Sequence, residues 1–456
     1  GGVISATAPT TSTSAATGVW TLPQQMQAIV GSGWPSQKFY WIGLLGDASS
    51  NYAQSVAFDS SGNVGLCGYS DNASQDLQVA KYNASGVIQW QRRLYTASAD
   101  AGYSCAFDAS GNLYVCGSTT IGGRTYALVA KYDGSGTLQW QRTLGDTGGS
   151  TDVESIIIDT SGNVYVGGYS SYGASQDFIL AKYNSSGTLQ FQKAIGNTSR
   201  VDNANSIYVD SSENIYLAGT SNDNTVTTYV GFAVVKCDSS GNLLWSKKLG
   251  GDDAVEQGAA YGVVVDSSGN VYVCGSISDG SSYRIQLVKY NSSGTLQWQR
   301  SLNGSGADNG YGIAIDSSSN IYVVGQGTAT VGYLQIAKYN SSGTIQWQRK
   351  LGSTTFNCYG YGIAVDATGN MYVSGISTAS GSVDFLFAKL LTDGSLTGTY
   401  SVGAYSFTYS ASTLTDAATS WTDSTPTYSS STSTLTDAAG SLTDASTSLT
   451  STVTTL

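Results

Sequence analysis

Between residues 38 and 396 the chain sets apolar and small positions against polar ones in short runs, separated by stretches rich in Gly, Ser, Asn and Asp. Such runs, bounded by turn-forming residues, predict β-strands joined by tight turns. In one unit, Tyr103–Phe107 reads as a first strand, Asp108–Asn112 as a turn and Leu113–Ser118 as a second strand. Tyr126–Tyr132 reads as a third strand, Asp133–Gly136 as another turn and Thr137–Leu144 as a fourth. The Asp side chain bonds the backbone ahead of it, Gly supplies positive φ, and Asn tolerates it. Both faces of these strands are apolar or small, as a sheet packed between two others requires.

The unit recurs. Asp-x-x-x-Asn begins at Asp59, Asp108, Asp159, Asp210, Asp266, Asp316 and Asp366, at intervals of 49 to 56 residues. A second phrase, typically Lys-Tyr-Asn-Ser-Ser-Gly-Thr-Leu-Gln-Trp-Gln-Arg, places Lys at Lys81, Lys131, Lys182, Lys236, Lys289, Lys338 and Lys389. A repeat of about 40–50 residues made of four short strands reads as a propeller blade. Trp90, Trp140, Trp245, Trp298 and Trp347, with Phe191 in the third repeat, fall on fourth strands. A large ring there fills the wedge that opens between blades with radius; stacking on a sugar is the alternative. The last repeat lacks this strand. Lys38–Gly46 has the missing pattern, with the Trp41-to-Gly46 spacing of Trp140 to Gly145. Residues 38–45 are therefore expected to supply the outer strand of the last blade and close the ring at Trp41, protecting edges an open sheet would leave unpaired. The expected fold is all-β: an arm at 1–37, a seven-bladed propeller at 38–396 and a Ser/Thr-rich tail at 397–456.

Asp-x-x-Gly-Asn-x-Tyr-Val-x-Gly and Lys-Tyr-Asn-Ser-Ser-Gly-Thr-x-Gln-Trp resemble the bacterial and phage β-propeller repeat family. The resemblance implies the fold and no particular activity, because propellers host unrelated roles. Gly18-Val-Trp-Thr-Leu and Gly33-Trp-Pro in the arm look similar to a segment of tailed-phage virion structural proteins. Pro23–Val30 reads as a short helix.

The Asp-x-Ser-x-Asn openings also look like the start of a calcium loop. The later bidentate carboxylate is absent and two copies lack the Gly, which favours a plain turn. No metal and no cofactor are expected. The recurrent Lys residues lie among apolar neighbours and should each find a carboxylate or carbonyl oxygens. Cys67, Cys116 and Cys274 occupy a small-residue position, so the 6 cysteines read as free, mostly buried thiols. Histidine is missing altogether. With no histidine and no evident carboxylate pair, the chain is expected not to be an enzyme. A net charge of −11 argues against nucleic acid. No apolar run is long enough for a membrane span. Gly1-Gly2-Val3 shows no secretory signal, so export would involve prior removal or another route, such as packaging into a particle.

Turns 1–2 and 3–4 of each blade are uniform, whereas the 2–3 and 4–1 connections vary. Variable loops on a rigid frame usually carry binding. Tyr95, Tyr126, Tyr172, Asp177, Tyr229, Tyr283, Asp308 and Phe356 belong to that loop face, and Tyr with Asp suits sugars. Loop drift without a ligand is the alternative. In the tail, Phe407, Leu414, Trp421, Tyr428, Leu435, Leu442, Leu449 and Leu456 stand seven apart. The spacing is a heptad seam, but its Ser, Thr, Asp and Gly filler forms helix poorly. A helical stalk, an extended fibre and a disordered tract are all consistent; an ordered self-associating segment, extended rather than helical, fits the Thr content best. Together these features lead to an expected structural protein of a phage virion (tail fibre, spike or decorating subunit), located on a virion or extracellular. It would be a homo-oligomer or bind other subunits, and would present a face to surface carbohydrate. A bacterial extracellular filament or adhesin subunit is the alternative.

Overall fold

In a computed structural model, the chain is described over residues 40–456, apart from 72–73, 146–147, 173–174, 197–200, 223–229, 251–255, 305, 329 and, toward the C-terminus, 420–422, 425–428, 433–435, 440–442, 446–449 and 456. The arm and its expected helix lie outside the described residues. The remainder forms seven antiparallel sheets, each begun by four strands. The first strands of neighbouring blades pack side by side, and that of the seventh returns to that of the first, so the ring is closed.

Closure follows the expectation from the N-terminal pattern. Trp41–Gly46 pairs antiparallel with Asp384–Leu391, Trp41 lying opposite Lys389. The Trp41 indole is buried against Tyr82 and Phe387 and donates to the Ala84 carbonyl of blade 1.

This seam geometry repeats around the ring. Trp90, Trp140, Trp245, Trp298 and Trp347 donate to a turn carbonyl of the next blade, over 3.1–3.3 Å. The positive-φ glycine of that turn lies against the ring: Gly136 on Trp90 and Gly187 on Trp140. A side chain in either place would collide with the indole, so glycine is needed for contact as well as for φ. These rings serve blade packing.

The recurrent Lys residues do the same from the third strand. Six of their ammonium groups reach carbonyls of the following blade, as Lys289 reaches Ser341 at 2.9 Å, and Lys182 reaches the Glu213 carboxylate of the following blade at 3.5 Å. All sit over ring faces such as Tyr272, 5.0 Å from Lys289. Lys81 and Lys131 also approach Asp59 and Asp108 at 3.8 and 3.7 Å. The repeated Asp residues form turns: Asp108 accepts the amides of Ser110 and Asn112 and the Asn112 side chain. The cysteines are free and buried.

The tail departs from expectation. Residues 397–456 are not set apart from the propeller, and their described strands form its rim. Gly398–Val402 and Tyr405–Ala411 make a hairpin whose second strand pairs with the outer strand of blade 6. The chain then runs backwards around the ring. Thr415–Ala418 joins blade 5, Asp423–Ser424 blade 4, Ser429–Thr432 blade 3, Thr436–Ala439 blade 2 and Thr443–Ala445 blade 1. Thr450–Thr455 finally covers Trp41–Gly46 in blade 7.

The heptad is thus the step from one blade to the next. Tyr409, Asp416, Asp423, Ser430, Asp437, Asp444 and Ser451, each seven further on, lie opposite Leu351, Leu302, Leu249, Ile195, Leu144, Leu94 and Leu45. The physical reason is plain. Thr- and Ser-rich chain with one large residue in seven cannot fill a helical seam, but it can take its hydrogen bonds from an existing sheet edge. Leu414 is buried where blades 5 and 6 meet, and the Gln348 amide brackets its backbone N–H and C=O. Trp421, Tyr428, Leu435, Leu442, Leu449 and Leu456 lie outside the described residues.

Candidate functional site on the propeller axis

Every first strand carries a β-bulge at the same place. Register slips between Ala53 and Ser55, Gly102 and Ser104, Val153 and Ser155, Ala204 and Ser206, Ala260 and Gly262, Gly310 and Gly312, and Gly360 and Gly362. The second strand accommodates the bulge with a glycine. A Cβ on Gly117 would run into the Ala101 carbonyl, and one on Gly168 into that of Asp152. A bulge re-aims one side chain. Here the extra residues are Gln54, Tyr103, Glu154, Asn205, Tyr261, Tyr311 and Tyr361, and together they line a cavity of about 380 Å³ on the axis.

Small residues at the flanking positions, such as Ser55, Ser104, Ser155 and Ser206, let the strands approach there and join neighbouring blades. Ser55 accepts the Cys105 amide and Ser206 the Val263 amide. Asn205 donates to the Ala260 carbonyl at 2.7 Å. Tyr261, Tyr311 and Tyr361 form an arc, with successive ring centroids 5.2 Å apart. Burial pushes the phenols of all three upward, that of Tyr311 to about 12, so they serve as neutral donors and acceptors.

Blade 3 holds two carboxylates in this environment. Asp152 is buried and Glu154 lines the cavity. Burial drives both well above the ordinary carboxylate range. Glu154 is raised further by the charge of Asp152, while the Val153 amide, Ser118 and Tyr169 oppose the rise at Asp152. The Tyr103 hydroxyl lies 3.3 Å from Ser118, and its titration responds to both acids.

A stability test follows. A free glutamate titrates near about 4.3. Folding favours the protonated form of Glu154, so the contribution present below that value is lost as pH rises toward the higher folded value. Glu154→Gln lacks this loss. Its stability relative to the parent should therefore rise by at least about 1 kcal/mol, the equivalent of one pKa unit, from acidic to mildly alkaline pH. Urea melts across that range check it; a pH-independent gap would contradict the shift.

The described residues of the expected loop face lie on separate blades, each with its own local contacts. Tyr95 stacks under Arg93 at 4.0 Å in blade 1, and the ring of Tyr126 in blade 2 covers Gly145. Asp177 is half-buried with one oxygen unpartnered among the described residues. Tyr283 is exposed on blade 5. Asp308 is fully buried and holds the Gly304 and Thr328 amides, and Phe356 packs on Tyr405 and Phe407. Tyr172 lies in a strand, its side chain outside the described residues, as is all of Tyr229. None of the described ones lines the axial cavity. The axial set carries a signal in the sequence: five residues before each blade Asp stands a polar or aromatic residue, bracketed by Gly, Ala, Val or Ser.

Two repeat families match the chain. One, described as Beta-propeller repeat, covers residues 139–171, 193–224 and 297–332. The other, a beta-propeller domain of unknown function, DUF5122, covers 160–189, 267–296 and 367–396. The chain carries beta-propeller repeats. No curated protein matches this propeller. Similar solved structures include a gluconolactonase from Xanthomonas campestris, 12% identical, covering 66% of this chain and 90% of that one at a TM-score of 0.39. NanB sialidase from Streptococcus pneumoniae is 12% identical, with coverage of 76% and 68% and a TM-score of 0.39. Polysaccharide lyase Uly1 is 9% identical, with coverage of 75% and 90% and a TM-score of 0.47. These likenesses concern the fold alone. The expectation that the propeller is not an enzyme is corrected on the chain's own residues. Its ground, the lack of a carboxylate pair, fails at Asp152 and Glu154.

Proposed function

We propose that the chain is a carbohydrate-binding propeller of a phage virion or extracellular surface appendage, and that its ligand enters the axial cavity. One observation carries the reading. Positions that hold the blades together repeat around the ring, whereas the bulge position changes from Gln to Tyr, Glu and Asn at constant backbone geometry. Structural positions in this ring vary only among similar side chains, as at Cys67, Gly167 and Ser374, whereas this one changes in size, charge and hydrogen-bonding groups. Phenol rings stack on sugar faces, and amide and carboxyl groups bond hydroxyls. The virion setting rests on the resemblance of residues 18–35, with a bacterial filament or adhesin as the alternative setting. A rim covered by its own tail suits a head exposed outside a cell, where unpaired edges invite association and cleavage.

A glycan array probed with the full chain tests the reading. Binding is expected, with a loss of at least about tenfold in Tyr311→Ala and Tyr361→Ala, the scale of a lost aromatic contact. A null array, or binding that both variants retain, would refute it. The buried acids favour a second reading, proton transfer to or from a bound saccharide by Glu154. Release of reducing ends from a bound polysaccharide, abolished in Glu154→Gln, would establish that reading; binding without turnover would exclude it.

A further inference from the structure

The cavity has an uneven distribution of charge. Its aromatic arc lies on blades 5, 6 and 7, while Glu154 comes from blade 3, across a ring of seven from blades 6 and 7. No Lys or Arg is among the residues lining it. Asp152, beside Glu154, is 6% exposed and keeps one carboxylate oxygen without a partner among the described residues. Among the described residues, the titratable groups that bear on the pair are Tyr103, Tyr169 and Cys116, all neutral when protonated and none a cation. Burying two acids with no positive partner is costly. A neutral sugar would use the phenols and leave that cost in place.

We infer that the axial cavity takes a ligand bearing an organic cation, with the cationic group between the Tyr261–Tyr311–Tyr361 arc and the Glu154 carboxylate. Aromatic faces attract a cation through their quadrupole and pack its methyl or methylene groups. Glu154 neutralises the charge, and Asp152 strengthens the field behind it. Binding is linked to proton release, because the cation favours the ionised acids that the empty cavity disfavours. This inference rests on the axial cavity being the binding site and specifies the ligand within it.

Choline and its uncharged isostere 3,3-dimethylbutan-1-ol form a suitable probe pair. Choline carries a fixed charge, so any pH dependence belongs to the protein. Titration calorimetry on the full chain should give choline at least about a tenfold advantage. That advantage should grow from acidic to mildly alkaline pH as Glu154 and Asp152 ionise. Glu154→Gln should remove most of the advantage and flatten its pH dependence, while Tyr311→Leu should weaken choline more than the alcohol. If Glu154→Gln does not fold, the pH profile of the parent and the Tyr311→Leu comparison still decide. Equal affinities, no binding of choline, or an advantage unchanged in both variants would overturn the inference. Saccharide binding at Tyr311 without a choline preference would sink this inference alone. Choline binding beside a null glycan array would instead sink the carbohydrate reading.

Discussion

Removal of residues 397–456 is expected to leave a propeller that elutes as larger species and melts well below the full chain. The reason is the number of edges uncovered together. In the intact protein each of seven sheets ends in tail backbone, from the blade 6 hairpin around to Thr450–Thr455 on blade 7. Without the tail, the fourth strands present unpaired N–H and C=O groups along their length, a template for strand addition between molecules. Apolar burial falls as well: Phe407 and Leu414 are almost completely covered, each worth about 1.5–3 kcal/mol. The Gln348 amide would lose both of its bonds to Leu414. Stepwise truncation adds resolution. Ending the chain at residue 440 should expose only the rims of blades 1 and 7, and ending it at 412 those of every blade but the sixth. Light scattering coupled to size exclusion reads the association, and a truncated chain that keeps the mass and melting midpoint of the full one would disprove the rim's role.

The blades were legible because a repeat averages away local ambiguity. Asp108–Asn112 or Trp140 alone would mean little; the same turn and ring recurring at one interval define a sheet and its seam. Ring closure was legible for the same reason, since the blade lacking a Trp and the orphan Trp41 segment complete each other. The path of the tail was not. Its seven-residue period was plain, but period alone does not distinguish a helical seam from a step around seven blades, because the partner surface lies far off in sequence, from Leu351 opposite Tyr409 to Leu45 opposite Ser451. The axial site was hidden by the logic that revealed the fold. Attention to what recurs passes over the one position that does not, and the bulge that turns Tyr103, Glu154 and Tyr311 inward is invisible to alternation counting. Asp308 misled in the opposite sense: an acid in a variable loop suggests a ligand, yet it holds its own loop backbone.

Deleting residues 38–45 should be more damaging still, because that segment is held on both sides. Trp41–Gly46 pairs with Asp384–Leu391 within and Thr450–Thr455 without, so its loss uncovers two strands at once. The outer strand cannot move in as a substitute. Its residues are Thr450-Ser-Thr-Val453-Thr-Thr455, with no ring to fill the space between Tyr82 and Phe387 that Trp41 occupies. Blade 7 would then lack the outer-strand ring at its seam with blade 1, leaving Tyr372 and Phe387 to hold it, and the ring would open where Lys389 and Trp41 both reach the Ala84 carbonyl. Loss of cooperative unfolding, with aggregation, is the expected outcome. Trp41→Ala grades the same effect at about 3–5 kcal/mol. It should exceed Trp140→Ala and Trp245→Ala, because those rings are only half-buried whereas Trp41 is 1% exposed. Denaturant melts of the three variants give the ordering. Equal losses would mean that the closing seam is one contact among seven, and an unchanged melt on deletion would mean that the ring is held shut by its rim alone.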